Sequence, residues 1–262
     1  MRSWQPVILV RDTGGTLTTT LTKPEKGTLD RFTAPLYTVA EAARHLDVPA
    51  STLRNWARGY DWSSRGRTVH GDPILTTVEA EQRSGASIPF VGLAEGLVLA
   101  AIRHSGVPLQ RIRPALTRLD EEFGIQHALA SKKLYTDGAE VLLDISSDLV
   151  DPADKQALGD LVVVRNGQRV FNDVVKSYLK RIKYDSDGYV HLFRLPAYTV
   201  AEVIVDPNRG FGQPIFARGG VRLEDALSLF RAGESLCDVA DEYGVPIPEL
   251  EDAVRIATRV SA

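Results

Sequence analysis

Residues 37–59 read YTVAEAARHLDVPASTLRNWARG, and this stretch decides how the first half of the chain is expected to fold. Thr38 stands three residues before Glu41, which is the spacing of a capping box at the start of a helix. Apolar residues then recur at helical spacing until Asp47-Val48-Pro49 interrupts the helix. A second helix is expected over residues 50–58, so the stretch predicts a helix-turn-helix.

The second of these helices has a polar outer face. Leu53 and Trp56 fall on its inner face, whereas the outer residues carry hydroxyls, an amide and guanidinium groups. Such groups reach base edges and phosphates in the major groove of DNA. The predicted DNA-binding residues of this helix are Ser51, Thr52, Arg54, Asn55 and Arg58. The alternative is a short helical hairpin used only for packing, because motif matches include false positives.

The next segment, residues 60–73, reads YDWSSRGRTVHGDP and predicts a turn and loop anchored by Trp62. Arg65 and Arg67 flank Gly66, which suits a basic wing that holds the flanking DNA backbone or enters a minor groove. A solvated surface loop explains the same residues equally well.

Composition limits the class of protein. The chain has 262 residues, enough for one large domain or for two or three small ones. Its single cysteine, Cys237, excludes an intrachain disulfide, fits a reducing cytoplasm and is expected to pack in a helix. The apolar residues 7–10 are too few for a signal peptide, and no run is long enough to span a bilayer. We therefore expect a cytoplasmic protein without a membrane partner.

Charge is unevenly distributed along the chain. The net charge of the whole sequence is −3. Residues 31–70 carry six cations and three anions, a net charge of +3, whereas residues 200–262 carry six cations and eleven anions, a net charge of −5. Only the first of these regions is expected to approach phosphates.

The hairpin pattern occurs three times. Val48-Pro49 recurs as Val107-Pro108 and as Val245-Pro246, with apolar residues at the same spacings before and after it. In the second copy, Pro114 is expected to strain the second helix, and Arg111 and Arg113 are candidates for phosphate contacts. In the third copy, the second helix begins with Glu249, Glu251 and Asp252, which would repel phosphates. Copies two and three therefore predict packing units.

These patterns divide the chain into four regions: a flexible arm over residues 1–30, partly strand near residues 7–10; a DNA-binding domain over 31–125; an α+β middle over 126–198; and a C-terminal helical domain over 199–262. Helices are predicted over 120–130, 173–182 and 222–232. Strands are predicted over 140–145, 161–164, 169–171 and 188–195, with Asn166-Gly167 as a hairpin turn. The predicted fold is mainly α with a smaller α+β middle, an N-terminal winged helix-turn-helix and a C-terminal helix-turn-helix-like bundle.

Catalytic patterns are absent from the sequence. The five histidines lack the spacing of a zinc site, and there is no GxSxG, Walker A or GxGxxG motif. The strongest cation candidate is the acidic run of Asp144, Asp148, Asp151 and Asp154, although Asp151-Pro152 is typical of a helix start. We therefore predict no catalytic residue, no metal, no cofactor and no enzymatic activity.

Two segments resemble known families. Residues 37–56, followed by a wing and by the Arg-Ile-Arg of GVPLQRIRPAL, resemble the DNA-binding domain of MerR-type regulators. Residues 205–256, with VDPNRGFGQPIF and FRAGESLCDVADEYGVPIPELEDAVRIA, are similar to a small helical family of unknown function common in bacterial antitoxins. The combination resembles the large VapB-type antitoxins of mycobacteria. This resemblance implies partnership with a PIN-type ribonuclease toxin and autorepression of the shared operon.

The resulting hypothesis is a DNA-binding antitoxin that represses its own operon. It is expected to act as a homodimer, because two-fold repressors read paired half-sites of an operator. The alternatives are a protein-interaction scaffold that does not bind DNA, a transcriptional regulator unrelated to a toxin, and, third, an enzyme.

Overall fold

The computed structural model describes residues 10–11, 17–18, 29–64, 67–80, 85–165 and 168–258. Over these residues the protein is mainly helical, as predicted. The α-helices are α1 (Val39–Leu46), α2 (Ala50–Arg58), α3 (Phe90–His104), α4 (Leu109–Phe123), α5 (Lys132–Asp148), α6 (Pro152–Leu161), α7 (Asp173–Leu179), α8 (Leu223–Arg231), α9 (Leu236–Tyr243) and α10 (Ile247–Ala257). The strands are β1 (Val10–Arg11), β2 (Leu17–Thr18), β3 (Tyr60–Ser64), β4 (Arg67–Gly71), β5 (Val162–Arg165), β6 (Gln168–Phe171), β7 (Ile182–Tyr184), β8 (Val190–Arg194), β9 (Val203–Val205) and β10 (Ile215–Phe216).

The described strands pair antiparallel in small sheets. Four of them form one sheet in the order β10-β9-β8-β7. The others form three two-stranded pairs, β1 with β2, β3 with β4, and β5 with β6. Most of the predicted N-terminal arm, including most of its predicted strand at 7–10, lies outside the described residues.

The first helix begins as its sequence predicts. The Thr38 hydroxyl accepts from the Glu41 backbone N–H at 3.2 Å, and the Glu41 carboxylate accepts from the Thr38 backbone N–H at 2.8 Å. This reciprocal pair satisfies two N–H groups that a helix start leaves without partners. The helix ends at Asp47, whose left-handed backbone (φ 55°) directs the chain into α2.

The three hairpins share their backbone layout as well as their sequence pattern. Their second helices begin at equivalent positions, namely Ala50, Leu109 and Ile247. The residue before each Val-Pro pair has a positive φ, 55° at Asp47, 84° at Gly106 and 61° at Gly244. The predicted repeat is therefore confirmed as a repeated turn between two helices.

The middle of the chain departs from prediction in one element. Residues 140–145 were expected to form a strand, but they lie inside α5. A short apolar run does not distinguish a strand from a buried helix. Leu134, Leu142 and Ile145 of this helix are buried at helical spacing, and the Ser131 side chain accepts from the Leu134 N–H at its start. The prediction of a strand is wrong because the apolar stripe extends beyond the six residues.

Other boundaries move by a few residues. The helix expected over 120–130 stops at Phe123, because Gly124 adopts φ 62° and ends α4. The helix expected over 173–182 stops at Leu179, and Ile182 begins β7 instead. The predicted hairpin around Asn166-Gly167 is confirmed by the pairing of Arg165 with Gln168, and the turn residues themselves lie outside the described residues.

A continuous hydrophobic core links the N-terminal and C-terminal parts. All residues of α3 from Phe90 to Ile102 are buried, and this helix packs against α1, α7 and β8. The ring of Phe90 lies 5.5 Å from that of Phe193. The Tyr37 hydroxyl donates to the Gly212 carbonyl, and burial raises the pKa of this phenol. Among the described helices, none has both the length and the apolar character needed to cross a membrane.

Candidate nucleic-acid interface

The helix-turn-helix is held from behind by α3. Leu53 and Trp56 of α2 are buried, as is Leu46 of α1. A Cβ atom at Gly96 would lie 2.6 Å from the Leu46 Cδ1 atom, so glycine at this position allows the close approach of α1 to α3. The inner face of α2 is thus fixed, which leaves the opposite face toward solvent.

The polar face predicted from the sequence is open. Ser51, Arg54, Asn55 and Arg58 are exposed, and Thr52 is half-buried. None of their side chains forms a hydrogen bond or ion pair with another described residue. A helix face that offers hydroxyl, amide and guanidinium donors without internal partners is chemically suited to base edges and phosphates.

The segment after α2 is a β-hairpin, more ordered than the predicted loop. In β3 and β4, Tyr60 pairs with Gly71 and Ser64 with Arg67, so only residues 65 and 66 connect the strands. The Trp56 carbonyl accepts from the backbone N–H groups of Ile74 and Leu75, at 2.9 and 3.1 Å, which ties the end of the wing to α2. A strand pair in this place has the layout of a wing.

The two arginines predicted on the wing are only partly located. Arg65 lies outside the described residues. Arg67 begins β4, and its side chain also lies outside what the structure describes. On the exposed base of the wing, His70 Nδ1 lies 2.6 Å from the Asp61 carboxylate, and this hydrogen bond raises the pKa of the imidazole.

A cleft of about 440 Å³ runs beside α2 and contains residues that the sequence reasoning did not select. Thr52 and Asn55 line one side of it, and Arg103, His104 and Gln110 line the other. These three come from the hairpin α3–α4, at and next to its turn. The sequence repeat could have identified Gln110, because this residue occupies the position in copy two that Ser51 has in copy one.

The second helix of copy two is engaged by the protein itself. Arg111, predicted as a phosphate contact, forms ion pairs with Asp151 at 3.0 Å and with Asp154 at 3.1 Å. Arg113 lies over the ring of Tyr60 at 5.3 Å and donates to the Asp72 carbonyl. Both arginines therefore hold structure together, and Arg113 supports the base of the wing.

The second helix of copy three contacts another part of the chain through one position of its outer face. Asp252, grouped by the sequence with the surface carboxylates, is 2% exposed. Its Oδ2 atom accepts three backbone N–H groups, from Thr199 at 2.9 Å, Val200 at 2.7 Å and Ala201 at 3.0 Å. Asp252 corresponds in the repeat to Asn55 of α2. The position that faces solvent in the first hairpin thus binds the chain's own backbone in the third.

The acidic run of the middle region consists of ion-paired residues. Asp144 lies 3.3 Å from Arg169 and Asp148 lies 3.2 Å from Arg118, while Asp151 and Asp154 share Arg111. Asp151 also caps α6 by accepting from the Ala153 N–H at 2.8 Å. Among the described residues, no group of three or more His, Cys, Asp or Glu side chains is arranged to hold a metal ion.

One half-buried cluster brings a hydroxyl, an imidazole and a carboxylate together. Thr76 Oγ1 lies 2.9 Å from His127 Nδ1, and Glu95 lies 3.1 Å from the same nitrogen. The Glu95 hydrogen bond raises the pKa of His127. A nucleophile–base–carboxylate relay uses both ring nitrogens, one on each side. Here both partners meet a single nitrogen, so the cluster fixes residues 76 and 127 rather than activating the hydroxyl.

The single cysteine differs from its expected role. Cys237 was expected to pack within an apolar helix, but its side chain is exposed on α9. Val239 and Ala240 occupy the buried face of that helix instead.

Comparison with known proteins agrees with this geometry. A family model described as "Putative DNA-binding HTH domain" matches residues 35–116, from just before α1 into α4. "Putative antitoxin VapB45" of Mycobacterium tuberculosis is 47% identical over 227 residues, covering 86% of this chain and 94% of the relative. "Uncharacterized protein Rv2308" of the same organism is 26% identical over 226 residues, covering 84% of this chain and 88% of the relative. The X-ray crystal structure of Rv2018 from Mycobacterium tuberculosis matches with a TM-score of 0.74 and 44% identity, covering 86% of this chain and 99% of that one.

Proposed function

The chain belongs to the VapB45 antitoxin family, and from this we propose that it neutralises a toxin and represses the operon that encodes both proteins. The toxin is a PIN-type ribonuclease, and the operator is double-stranded DNA upstream of the two genes. The protein acts by binding, without catalytic turnover of its own. Turnover that persists in highly purified, metal-free protein would contradict this last point.

The open face of α2 is the observation that carries DNA binding. The same hairpin occurs three times, but Arg111 and Arg113 of α4 and Asp252 of α10 hold other parts of the chain. Among these three helices, only α2 presents hydroxyl, amide and guanidinium groups together on an outer face without partners in the described residues, whereas α10 exposes the carboxylate of Glu251 where α2 exposes Arg54. We assign base and phosphate contacts to Ser51, Thr52, Arg54, Asn55 and Arg58, and backbone contacts to Arg65 and Arg67.

The C-terminal region is the proposed toxin-binding end. Residues 200–262 have a net charge of −5. Exposed carboxylates of this region include Glu234, Asp238, Asp241, Glu242 and Glu251. A nuclease that binds RNA needs a basic cleft, and an acidic surface is complementary to it. The proposed mechanism is occupation of that cleft, which excludes the RNA substrate.

The operator-bound form is proposed to be a homodimer. One helix-turn-helix contacts few base pairs, whereas a two-fold dimer reads two half-sites and gains affinity from both. Analytical ultracentrifugation of the free protein and of its DNA complex measures this stoichiometry. A single copy on a full-affinity operator would contradict the dimer.

The test of DNA binding is a titration of the upstream duplex with wild type and with Arg54→Ala/Arg58→Ala. We expect the double variant to lose most of its affinity and to reduce the slope of log K against log salt by about two, since two phosphate-reaching cations are removed. Arg255→Ala is the matched control, because Arg255 is exposed at the position of α10 that corresponds to Arg58. Unchanged affinity and slope in the double variant would assign α2 to packing, as in a scaffold.

The test of the antitoxin role uses the nuclease encoded by the neighbouring gene. We expect wild type to inhibit RNA cleavage at equimolar ratio and Asp241→Lys/Glu242→Lys to inhibit it less, with DNA binding unchanged. Full DNA binding together with no inhibition by wild type would identify a transcriptional regulator unrelated to a toxin.

A further inference from the structure

Five cations line one surface groove formed by residues between 177 and 217. The groove has a volume of about 700 Å³ and lies along α7 and the sheet of β7, β8 and β9. Its cations are Lys180, Arg181, Lys183, Arg194 and Arg209, and its hydroxyl groups come from Ser177, Tyr198 and Thr199. We call this surface the basic groove. Glu202 is the one carboxylate among its lining residues.

The cations of the basic groove are unpaired within the part of the chain that the structure describes. Among the described residues, none of the five lies within ion-pair distance of a carboxylate. Arg181 and Arg194 are half-buried, and the Nε atom of each is buried without a hydrogen-bond partner. Burial and the nearby Arg194 lower the pKa of Arg181. Placing two guanidinium groups side by side in a partly desolvated groove costs free energy unless an anion occupies it.

The basic groove and the cleft beside α2 are linked through the ring of Tyr178. The ring of Tyr178 stacks on His104, which lines that cleft, with centroids 5.7 Å apart. The Arg181 guanidinium lies over the same Tyr178 ring at 5.6 Å. One aromatic ring therefore bridges a residue of the α2 cleft and a cation of the basic groove, which places the groove next to the cleft that Thr52 and Asn55 line.

We propose that the basic groove binds the phosphodiester backbone of the DNA that α2 reads, on the flank of each half-site. This inference rests on the proposed DNA binding of α2. The exposed Lys180, Lys183 and Arg209 supply long-range attraction, while Arg181 and Arg194 donate through fixed N–H groups to phosphate oxygens. A regularly spaced polyanion satisfies several separated cations together. The contacts carry no base information, so they raise affinity for every sequence alike.

The test replaces the exposed cations and leaves the half-buried pair intact, so that the fold is retained. The variant is Lys180→Gln/Lys183→Gln/Arg209→Gln. A matched control removes three exposed cations outside the groove, Lys132→Gln/Lys155→Gln/Arg255→Gln. Far-ultraviolet circular dichroism and thermal unfolding verify that both triple variants fold.

Salt-dependent titrations and ethylation interference give the readouts. We expect the groove variant to bind the upstream duplex and an unrelated duplex roughly ten- to a hundred-fold more weakly, with the salt slope reduced by about three and the ratio of the two affinities unchanged. Ethylation of phosphates flanking each half-site should impair binding of wild type strongly and binding of the groove variant less, because the variant retains only Arg181 and Arg194 in the groove. The control variant should match wild type in all three readouts.

The outcomes separate this inference from the proposed function. If Arg54→Ala/Arg58→Ala loses sequence preference while the groove variant binds as wild type does, α2 reads DNA and the groove assignment is overturned. If the groove variant instead loses only the complex with the neighbouring nuclease, the groove belongs to a protein partner and the inference is again overturned. If wild type binds neither duplex, the proposed DNA binding and this inference both fail.

Discussion

His45 lies at a buried position of the DNA-binding hairpin. It is 9% exposed, its Nδ1 atom has no hydrogen-bond partner, and its ring is nearly perpendicular to that of Tyr37, with the ring centroids 6.2 Å apart. Burial, with a smaller effect of Arg44, lowers the pKa of the imidazole to about 4 from its ordinary 6.5. Glu41 on the same helix opposes this shift. The folded protein thus favours the neutral form.

The pH dependence of stability should report this histidine. Because the pKa is lower in the folded state, its contribution is complete above pH 6.5 and is lost as the pH falls toward 4. The full loss is roughly 3 kcal/mol at most. We expect His45→Leu, measured by urea unfolding between about pH 7 and about pH 4.5, to lose less stability than wild type over that interval. His104→Gln, at an exposed site, controls for removal of a histidine, and parallel curves for wild type and His45→Leu would refute the assignment.

Asp252 is a charged residue with a structural role in the protein interior. We expect Asp252→Ala to lower the free energy of unfolding by about 3 kcal/mol or more, because three backbone N–H groups lose their acceptor in a buried place. Glu251→Ala, at the exposed neighbouring residue, should change it by less than about 0.5 kcal/mol. Equal effects of the two substitutions in urea unfolding would show that the three hydrogen bonds contribute little.

At the scale of elements, α4 tolerates a proline that the sequence marked as a source of strain. The helix runs without interruption from Leu109 to Phe123 through Pro114. A proline there removes the N–H that would bond the Gln110 carbonyl. We expect Pro114→Ala to raise the free energy of unfolding by about 1 kcal/mol, the helix gain being offset in part by the freer unfolded chain. Thr117→Ala, one turn later, controls for helix propensity. A lower melting temperature for Pro114→Ala would mean that the ring has a packing role.

Local signals in the sequence predict the hairpins and their caps well. The Thr38–Glu41 box, the Val-Pro pairs and the Asn166-Gly167 turn are short-range patterns, and the structure forms the corresponding elements. The prediction of a strand at 140–145 is wrong because the apolar residues of this short run fit the periodicity of a strand as well as that of a helix. The buried residues of the whole of α5 follow helical spacing. Burial on neighbouring turns, rather than local preference, selects the helix.

In the candidate site, too, local sequence predicts some features, and others depend on residues that are distant in the chain. That α2 has an outward polar face follows from the positions of Leu53 and Trp56 within nine residues. In contrast, Arg113 supports the wing through a residue that lies 41 positions earlier in the chain. Asp252 likewise accepts hydrogen bonds from a loop that begins 53 positions earlier. The basic groove likewise combines α7, β8 and the turn after β9. Such groups meet only through tertiary packing, which single-sequence patterns do not encode.

At the scale of the whole molecule, α3 couples the DNA-binding hairpin to the rest of the chain. One face of α3 supports α1, and other faces pack against α7 and β8 of the middle region. Arg31 pairs with Asp187, and the Tyr37 hydroxyl reaches the Gly212 carbonyl. The division into residues 1–30, 31–125, 126–198 and 199–262 stays a prediction. The packing indicates how the second of these regions should behave when it is separated.

A fragment of residues 31–125 exposes the faces of α3 that α7 and β8 cover in the full chain, including the side of Phe90 that meets Phe193. A region that loses this much apolar contact is expected to keep helical structure but not a cooperative transition. We therefore expect the fragment to show helical far-ultraviolet circular dichroism, a broad urea transition and weakened operator binding. Residues 31–258, which retain the described core, should unfold cooperatively and bind as the full chain does. A sharp transition and full affinity in the shorter fragment would instead show that α1, α2 and the wing need only α3 and α4 for their structure.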